Sequence, residues 1–382
     1  MTPHAIAADA VFDGEALRRD HAVLIEGEQV IGVMPTPELP ASLAARRMPQ
    51  GTWLAPGFID VQVNGGGDVL FNDAPAPEGI FAIVAAHRRF GTTALLPTLI
   101  TDTTAKMRTA REAVAAAMSR EPAVLGIHFE GPFLSPDRPG VHDPALMRIP
   151  DDSDCAFLTE PSAGVTVVTL APERVPQGFI AALSKAGVRV CLGHSTASYE
   201  QTCAALAEGL TGFTHLFNVM PPLLARAPGP IAAALETPGA WYGLIVDGEH
   251  VAPSMLRLAL RGLGQPMLVT DAMPPVGGSG AGFTLNGEAI AVADGRYRRA
   301  DGALAGSALD MASAVRNCVR LLGLSLPDAL RLASAAPAAF LGLDDRLGHL
   351  KPGCRADIVA LEPEAVRVLA TWVAGREFAA PP

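Results

Sequence analysis

The chain has 382 residues, with 49% apolar and 18% charged side chains and a formal net charge of −10. Such a chain buries a large core without a metal or disulfide staple, and a mainly disordered state is excluded because low hydrophobicity and high charge are both missing. The acidic balance argues against nucleic acid or an anionic membrane as partner, so any anionic substrate must be held by a few local cations.

The first 55 residues read as short strands, AIAADAVFD and AVLIEGEQVIGV, with turn chemistry at Asp13-Gly14 and Glu26-Gly27. No basic-then-apolar leader pattern is seen there. From residue 56 the rhythm changes, and short apolar segments alternate with longer Ala-rich stretches of helical character. In order these are FIDVQVNG (58–65), TALLPTLI (93–100), VLGIHFEG (124–131) and VTVVTLAPE (165–173). VRVCLGHS (188–195), GFTHLFN (212–218), YGLIVDG (242–248) and PMLVTDAM (266–273) complete the set. Eight apolar strands alternating with helices predict an α/β fold, a closed parallel (β/α)8 TIM-type barrel over residues 56–341. Near-continuous apolar runs suit strands buried on both faces. An open doubly wound sheet is disfavoured, because no G-x-G-x-x-G follows the first strand.

A Gly-rich stretch at 277–302 reads as a loop with a small hairpin inserted after the eighth strand. Residues 342–382 return to strands, ADIVALEP and AVRVLATWVAGREF. Paired with residues 1–55, they predict a small discontinuous β-sandwich domain beside the barrel. No apolar run reaches the ~18 residues of a membrane span. Five cysteines (Cys155, Cys191, Cys203, Cys318 and Cys354) are odd in number and form no C-x-x-C. They point to free thiols in a reducing cytoplasm.

Barrel active sites lie at the C-terminal ends of the strands. There the sequence places Gln62 and Asn64, Thr98, His128 and Glu130, His194 and Ser195, His215 and Asn218, Asp247 and His250, and Asp271. Packing alone does not account for so many polar residues, since each costs energy to bury unpaired. Glu130, His194 and His215 form a plausible metal set, one carboxylate and two imidazoles, as at a catalytic zinc or similar divalent ion. Asp271 is the candidate general base beside an ion-activated water; the alternative is a carboxylate that orients a ligand histidine. His128 shares a strand face with Glu130 and reads as a supporting residue more than a ligand. His4, His21, His87 and His349 read as surface or packing residues.

These residues sit within longer ordered motifs: PGFIDVQVNG (56–65), HFEGPFLS (128–135), GVHDP (140–144), GHSTAS (193–198) and THLFNVMPPLLARAPG (214–229). VDGEHV (246–251), LVTDAM (268–273), LAGSALDM (304–311) and LGHLKPGCRADIVAL (347–361) follow. On them the chain resembles, over essentially its whole length, the N-acetylglucosamine-6-phosphate deacetylase family of the amidohydrolase superfamily. The resemblance implies cleavage of the acetamido group of N-acetyl-D-glucosamine 6-phosphate to D-glucosamine 6-phosphate and acetate. It implies one divalent ion per subunit, Zn2+ first with Fe2+, Mn2+ or Co2+ as alternatives, on Glu130, His194 and His215, and Asp271 as catalytic acid/base. It further implies His142 at the sugar and acetyl carbonyl. Arg226 and His250 would hold the phosphate across a homodimer interface, and backbone groups of Asn218, Val219, Leu304, Ala305 and Gly306 would complete the pocket.

The chain departs from the wider superfamily at the first strand, where many members carry H-x-H and this one reads Gln62-Val63-Asn64. Its only lysines, Lys106, Lys185 and Lys351, are not placed to be a carbamylated ligand. Both features favour a single metal, with Gln62, Asn64 and His128 as a second-metal position or supporting residues. Pro139 stands where relatives often carry a second basic residue after Arg138. Alternative functions are a deacetylase of another N-acetylated amino-sugar phosphate, such as N-acetylgalactosamine 6-phosphate, and, more remotely, a non-catalytic sugar-phosphate binder.

Overall fold

The computed structural model describes residues 2–161, 164–280, 282–293, 296–300 and 302–379. Its centre is a parallel eight-stranded sheet: β1 (Phe58–Val63), β2 (Thr92–Ile100), β3 (Gly126–Glu130), β4 (Val165–Leu170), β5 (Arg189–Leu192), β6 (Gly212–Phe213), β7 (Trp241–Leu244) and β8 (Gln265–Leu268). Each strand is hydrogen-bonded to its neighbour in sequence. The helices Pro77–Arg88, Thr104–Met118, Asp152–Thr159, Phe179–Lys185, Tyr199–Ala207, Gly229–Glu236, Pro253–Ala259 and Met311–Leu322 follow the strands in turn. All nine residues of β2 and all five of β3 are buried, as the unbroken apolar runs require. Helix starts carry side-chain caps where the sequence offers them: Thr103, Asp151, Ser198 and Asp310 each accept from a first-turn backbone N–H.

The barrel closes between its ends in sequence. Val63 bridges Ala272 in parallel, the N–H groups of Asn64 and Gly65 both donate to the Ala272 carbonyl at 3.0 Å, and Asp271 N–H donates to the Gln62 carbonyl at 3.0 Å. This seam sets the end of β1 against the chain just beyond β8. Several predicted strand segments overrun the observed strands at their C-terminal ends. The cause is local: the backbone turns sharply with positive φ at His194, His215, Phe217, Val219 and Asp271, the places where polar residues begin.

The terminal segments share one mixed sheet of eight strands. Trp53–Pro56 pairs antiparallel with Ile358–Glu362. His4–Phe12 carries Ala44–Arg47 and Trp53–Pro56 in succession along one edge. This sheet encloses an apolar cluster that includes Ile6, Val23, Ile25, Leu54, Ile358 and Trp372. Beyond β8 the insertion forms three antiparallel strands, Phe283–Leu285, Glu288–Ala293 and Arg296–Arg298, where the sequence predicts a hairpin. Asn286-Gly287 turns the first pair; residues 294 and 295, between the second pair, lie outside the described residues.

Candidate active site

Glu130 is the last residue of β3, His194 lies two residues beyond β5 and His215 two beyond β6. The φ angles of His194 and His215 are +49° and +33°, and that of Asp271 is +52°. Side chains other than glycine pay roughly 1–2 kcal/mol for this conformation. The turn breaks the strand direction and lets each side chain aim into the mouth of the barrel.

There three potential ligand atoms converge. His215 Nε2 stands 3.0 Å and His194 Nε2 3.2 Å from Glu130 Oε1, and the two ring nitrogens are 3.1 Å apart. His194 Nδ1 lies 3.0 Å from the Arg138 carbonyl, which can only accept, so Nδ1 carries the ring proton and Nε2 presents a lone pair. Two ring nitrogens this close repel unless a proton or a cation lies between them. Bonds of about 2.1 Å to a tetrahedral ion set ligand atoms about 3.4 Å apart, close to the spacing seen here. The donor set therefore fits a divalent cation, and it is the one such cluster among the described residues. Burial works against charge on Glu130, yet the close approach of His194 and His215 to Oε1 holds its carboxyl well below the usual range. His215 is raised, its burial outweighed by Glu130.

Across from this set lies Asp271. Asn64 Nδ2 donates to its Oδ1 at 2.6 Å and Gln62 Nε2 at 3.1 Å, and the same Gln62 nitrogen reaches Glu130 Oε1 and Oε2 at 3.3 and 3.2 Å. A neutral donor thus bridges three carboxylate oxygens at the position expected for a second ion. Burial, then the Glu130 charge, pushes the Asp271 carboxyl up to about 6. His142 Nε2 approaches Glu130 Oε1 at 4.0 Å. Its Nδ1 accepts the backbone N–H of Thr101 at 3.2 Å, so in the neutral ring the proton sits on Nε2. Burial, then His194, holds this imidazole well below its ordinary value, which favours the neutral ring.

His128 stays beneath the site. It bonds the Val61 carbonyl at 3.0 Å and Thr169 Oγ1 at 2.7 Å, and burial pushes it down to about 4. Asn64, Glu130, His142, His194, His215, Asn218, Val219, His250, Asp271, Leu304 and Gly306 all line one cavity of about 240 Å3. A larger cavity of about 560 Å3 lies at the opposite end of the barrel, around Val124, Leu125 and Val165, away from the histidines.

One expectation changes, the route by which His250 reaches the site. His250 lines the cavity of its own chain, on the loop after β7 where its Nδ1 pairs with Asp247 Oδ2 at 2.5 Å, so it needs no interface to arrive there. Arg226 is exposed and lies outside the cavity lining. Ala305 is fully buried and its N–H is spent on the Tyr297 carbonyl at 2.9 Å, so that N–H is not free for a ligand. Sequence reasoning missed Thr101, the anchor of His142. Its signal was a threonine directly after the apolar run of β2.

Comparison with known proteins follows the same lines. The amidohydrolase family pattern matches residues 53–265 and 294–377. The N-acetylgalactosamine-6-phosphate deacetylase of Shewanella sp. (strain ANA-3) is 42% identical over 86% of this chain and 84% of its own. The N-acetylglucosamine-6-phosphate deacetylase of Haemophilus influenzae is 34% identical over 98% of both. The crystal structure of N-acetylglucosamine-6-phosphate deacetylase from Pasteurella multocida superposes with a TM-score of 0.94 at 31% identity, covering 99% of this chain and 100% of the other.

Proposed function

Because the chain belongs to the amidohydrolase family, we propose that it hydrolyses the acetamido group of N-acetyl-D-glucosamine 6-phosphate, giving D-glucosamine 6-phosphate and acetate. The observation that carries this reading is the convergence of Glu130, His194 and His215 opposite Asp271, with Gln62 bonded to both sides. A divalent cation on those three residues, Zn2+ before Fe2+, Mn2+ or Co2+, supplies a Lewis acid for the acetyl carbonyl and acidifies a water.

The chain's own residues do the rest. Asp271 takes the proton of the water that attacks the acetyl carbon. It then delivers that proton to the amine nitrogen as the C–N bond breaks. Asn64 and Gln62 fix the carboxylate by bonding its Oδ1, which leaves Oδ2 for the reaction. The Nε2–H of neutral His142 donates to the carbonyl oxygen as negative charge builds there. Asn218, Val219, Leu304 and Gly306 frame the sugar. His250 holds the phosphate from within the chain, and Arg226, which is exposed and not among the residues lining its own cavity, joins it from a second copy in a homodimer.

The Shewanella relative favours a second reading, in which the galacto epimer is the substrate. A reducing cytoplasm suits the five free thiols, and among the described residues no helix is long and apolar enough to cross a membrane. The barrel, residues 56–341, and the terminal segments, 1–55 with 342–382, are read as two domains on the strength of the separate apolar cluster.

The test is acetate release from N-acetylglucosamine 6-phosphate, its galacto epimer and the unphosphorylated sugar, before and after chelation. Chelator-sensitive release that requires the phosphate supports the reading, and the faster epimer names the substrate. No release from any of the three by cation-loaded protein overturns it.

A further inference from the structure

The first turn of the inserted sheet reaches toward the active site. Asn286 and Gly287 have φ of +50° and +80° and join two strands as a two-residue hairpin, the geometry of a type I′ turn. Asn, Asp and Gly all tolerate the first position of such a turn, so the backbone does not demand Asn. The side chain gives the reason for it: Asn286 Nδ2 donates to the Val141 carbonyl at 2.8 Å. Arg299, fastened to Glu288 at 2.9 Å, reaches the Gly140 carbonyl at 3.4 Å. Val141 packs in the apolar cluster that joins Leu285, Ile290 and Tyr297 to Ile100 and Met273. Residues 140 and 141 are thus held from the inserted sheet by two hydrogen bonds and an apolar contact, and the next residue is His142.

We propose that Asn286 is a positioning residue for His142, holding the Val141 carbonyl so that the imidazole keeps Nε2 turned into the site. The inserted sheet then sets the rate of the reaction without touching the reacting atoms. His142 is pinned on its far side by Thr101, so the ring is gripped between β2 and the insertion. This inference rests on the reading of His142 as donor to the acetyl carbonyl.

Two variants separate the side chain from the turn. Asn286→Asp and Asn286→Gly both keep the left-handed backbone and both lose the donor. Each is expected to lower kcat for acetate release roughly 3- to 10-fold, the worth of one hydrogen bond, with KM within twofold and cation content unchanged. Introduced into a His142→Ala protein, neither should lower kcat further, because the route to the reaction is already gone. A structural role alone gives the same loss in both backgrounds, and that result overturns the proposal. So does wild-type kcat in both variants while His142→Ala is impaired. If His142→Ala itself turns over normally, the donor reading of His142 falls and takes this inference with it.

Discussion

Replacing Asp271 by Asn tests the proposed chemistry most directly. The two side chains are isosteric, but their surroundings dictate how the amide must sit. Asn64 Nδ2 at 2.6 Å and Gln62 Nε2 at 3.1 Å both donate to Oδ1, so the new carbonyl oxygen must face them, and the NH2 group is left facing the cavity. A donor then stands where an acceptor is needed. Loss of a positioned base and acid removes about 10^2- to 10^4-fold in kcat, or roughly 3–5 kcal/mol of transition-state stabilisation. Asp271 is not one of the three converging ligands, so cation content should stay at the wild-type level. In the wild type the rate should fall as pH drops below about 6, where burial and Glu130 place the Asp271 carboxyl, because only the ionised form accepts a proton. The variant's residual rate should lack that acid limb. Acetate release across pH 5–8, with metal analysis of the same samples, reads all of this. A kcat within tenfold of wild type at full cation content, or a residual rate that keeps the acid limb, would refute the role.

Chelation should abolish turnover and added divalent cation should restore it; cation at 100 times its dissociation constant should stabilise the fold by ~2.7 kcal/mol, and full activity in thoroughly stripped protein would count against the site. Gly140→Ala places a Cβ 3.0 Å from His194 Cε1 at a φ of +56°. It should cost roughly 1–2 kcal/mol of stability and weaken cation binding about tenfold, measured by chelator competition; unchanged binding would mean that His194 yields freely. Asp60, fully buried, accepts from Thr270 Oγ1 and from the N–H groups of Gln62 and Thr270. Burial pushes it up to about 7. Its folded value lies above its unfolded one, so the stability it contributes is full below about pH 4 and lost as pH rises through 7. Between pH 5 and 7 the wild type should lose on the order of 2 kcal/mol relative to Asp60→Asn in urea unfolding, and parallel curves would show the group ionised throughout.

The barrel was legible because strands buried on both faces must be apolar throughout, and β2 and β3 carry no exposed residue to blur the pattern. Glu130, His194, His215 and Asp271 were legible because a polar residue at the end of such a run has no packing explanation. What the sequence hid depends on where the backbone turns. The position of His250 follows from the loop after β7 and its grip on Asp247, contacts that spacing does not encode. Ala305 reads as part of a pocket motif, but its N–H is claimed by Tyr297, a partner from an insertion whose third strand has only three residues. Thr101, through its backbone N–H and its Oγ1, and Asn286, through its side chain, bond distant segments, and neither leaves a periodic trace.

The seam between β1 and the chain beyond β8 makes cation capture and turnover separable properties. The three candidate ligand residues stand at or just beyond the ends of β3, β5 and β6 and lie within 85 residues of one another. The base and the amide that steadies it, Asp271 and Gln62, are 209 residues apart and meet only when the barrel is shut. Loop-closure entropy rises with the length of chain between contacts, so the seam costs more to close than the ligand set does. A chain with an open seam is expected to keep the three ligand residues near one another and to lose the pairing of Gln62 with Asp271. For engineering, chain breaks and permuted termini belong away from residues 62–65 and 271–273, and ion content alone is a poor certificate of an intact catalyst.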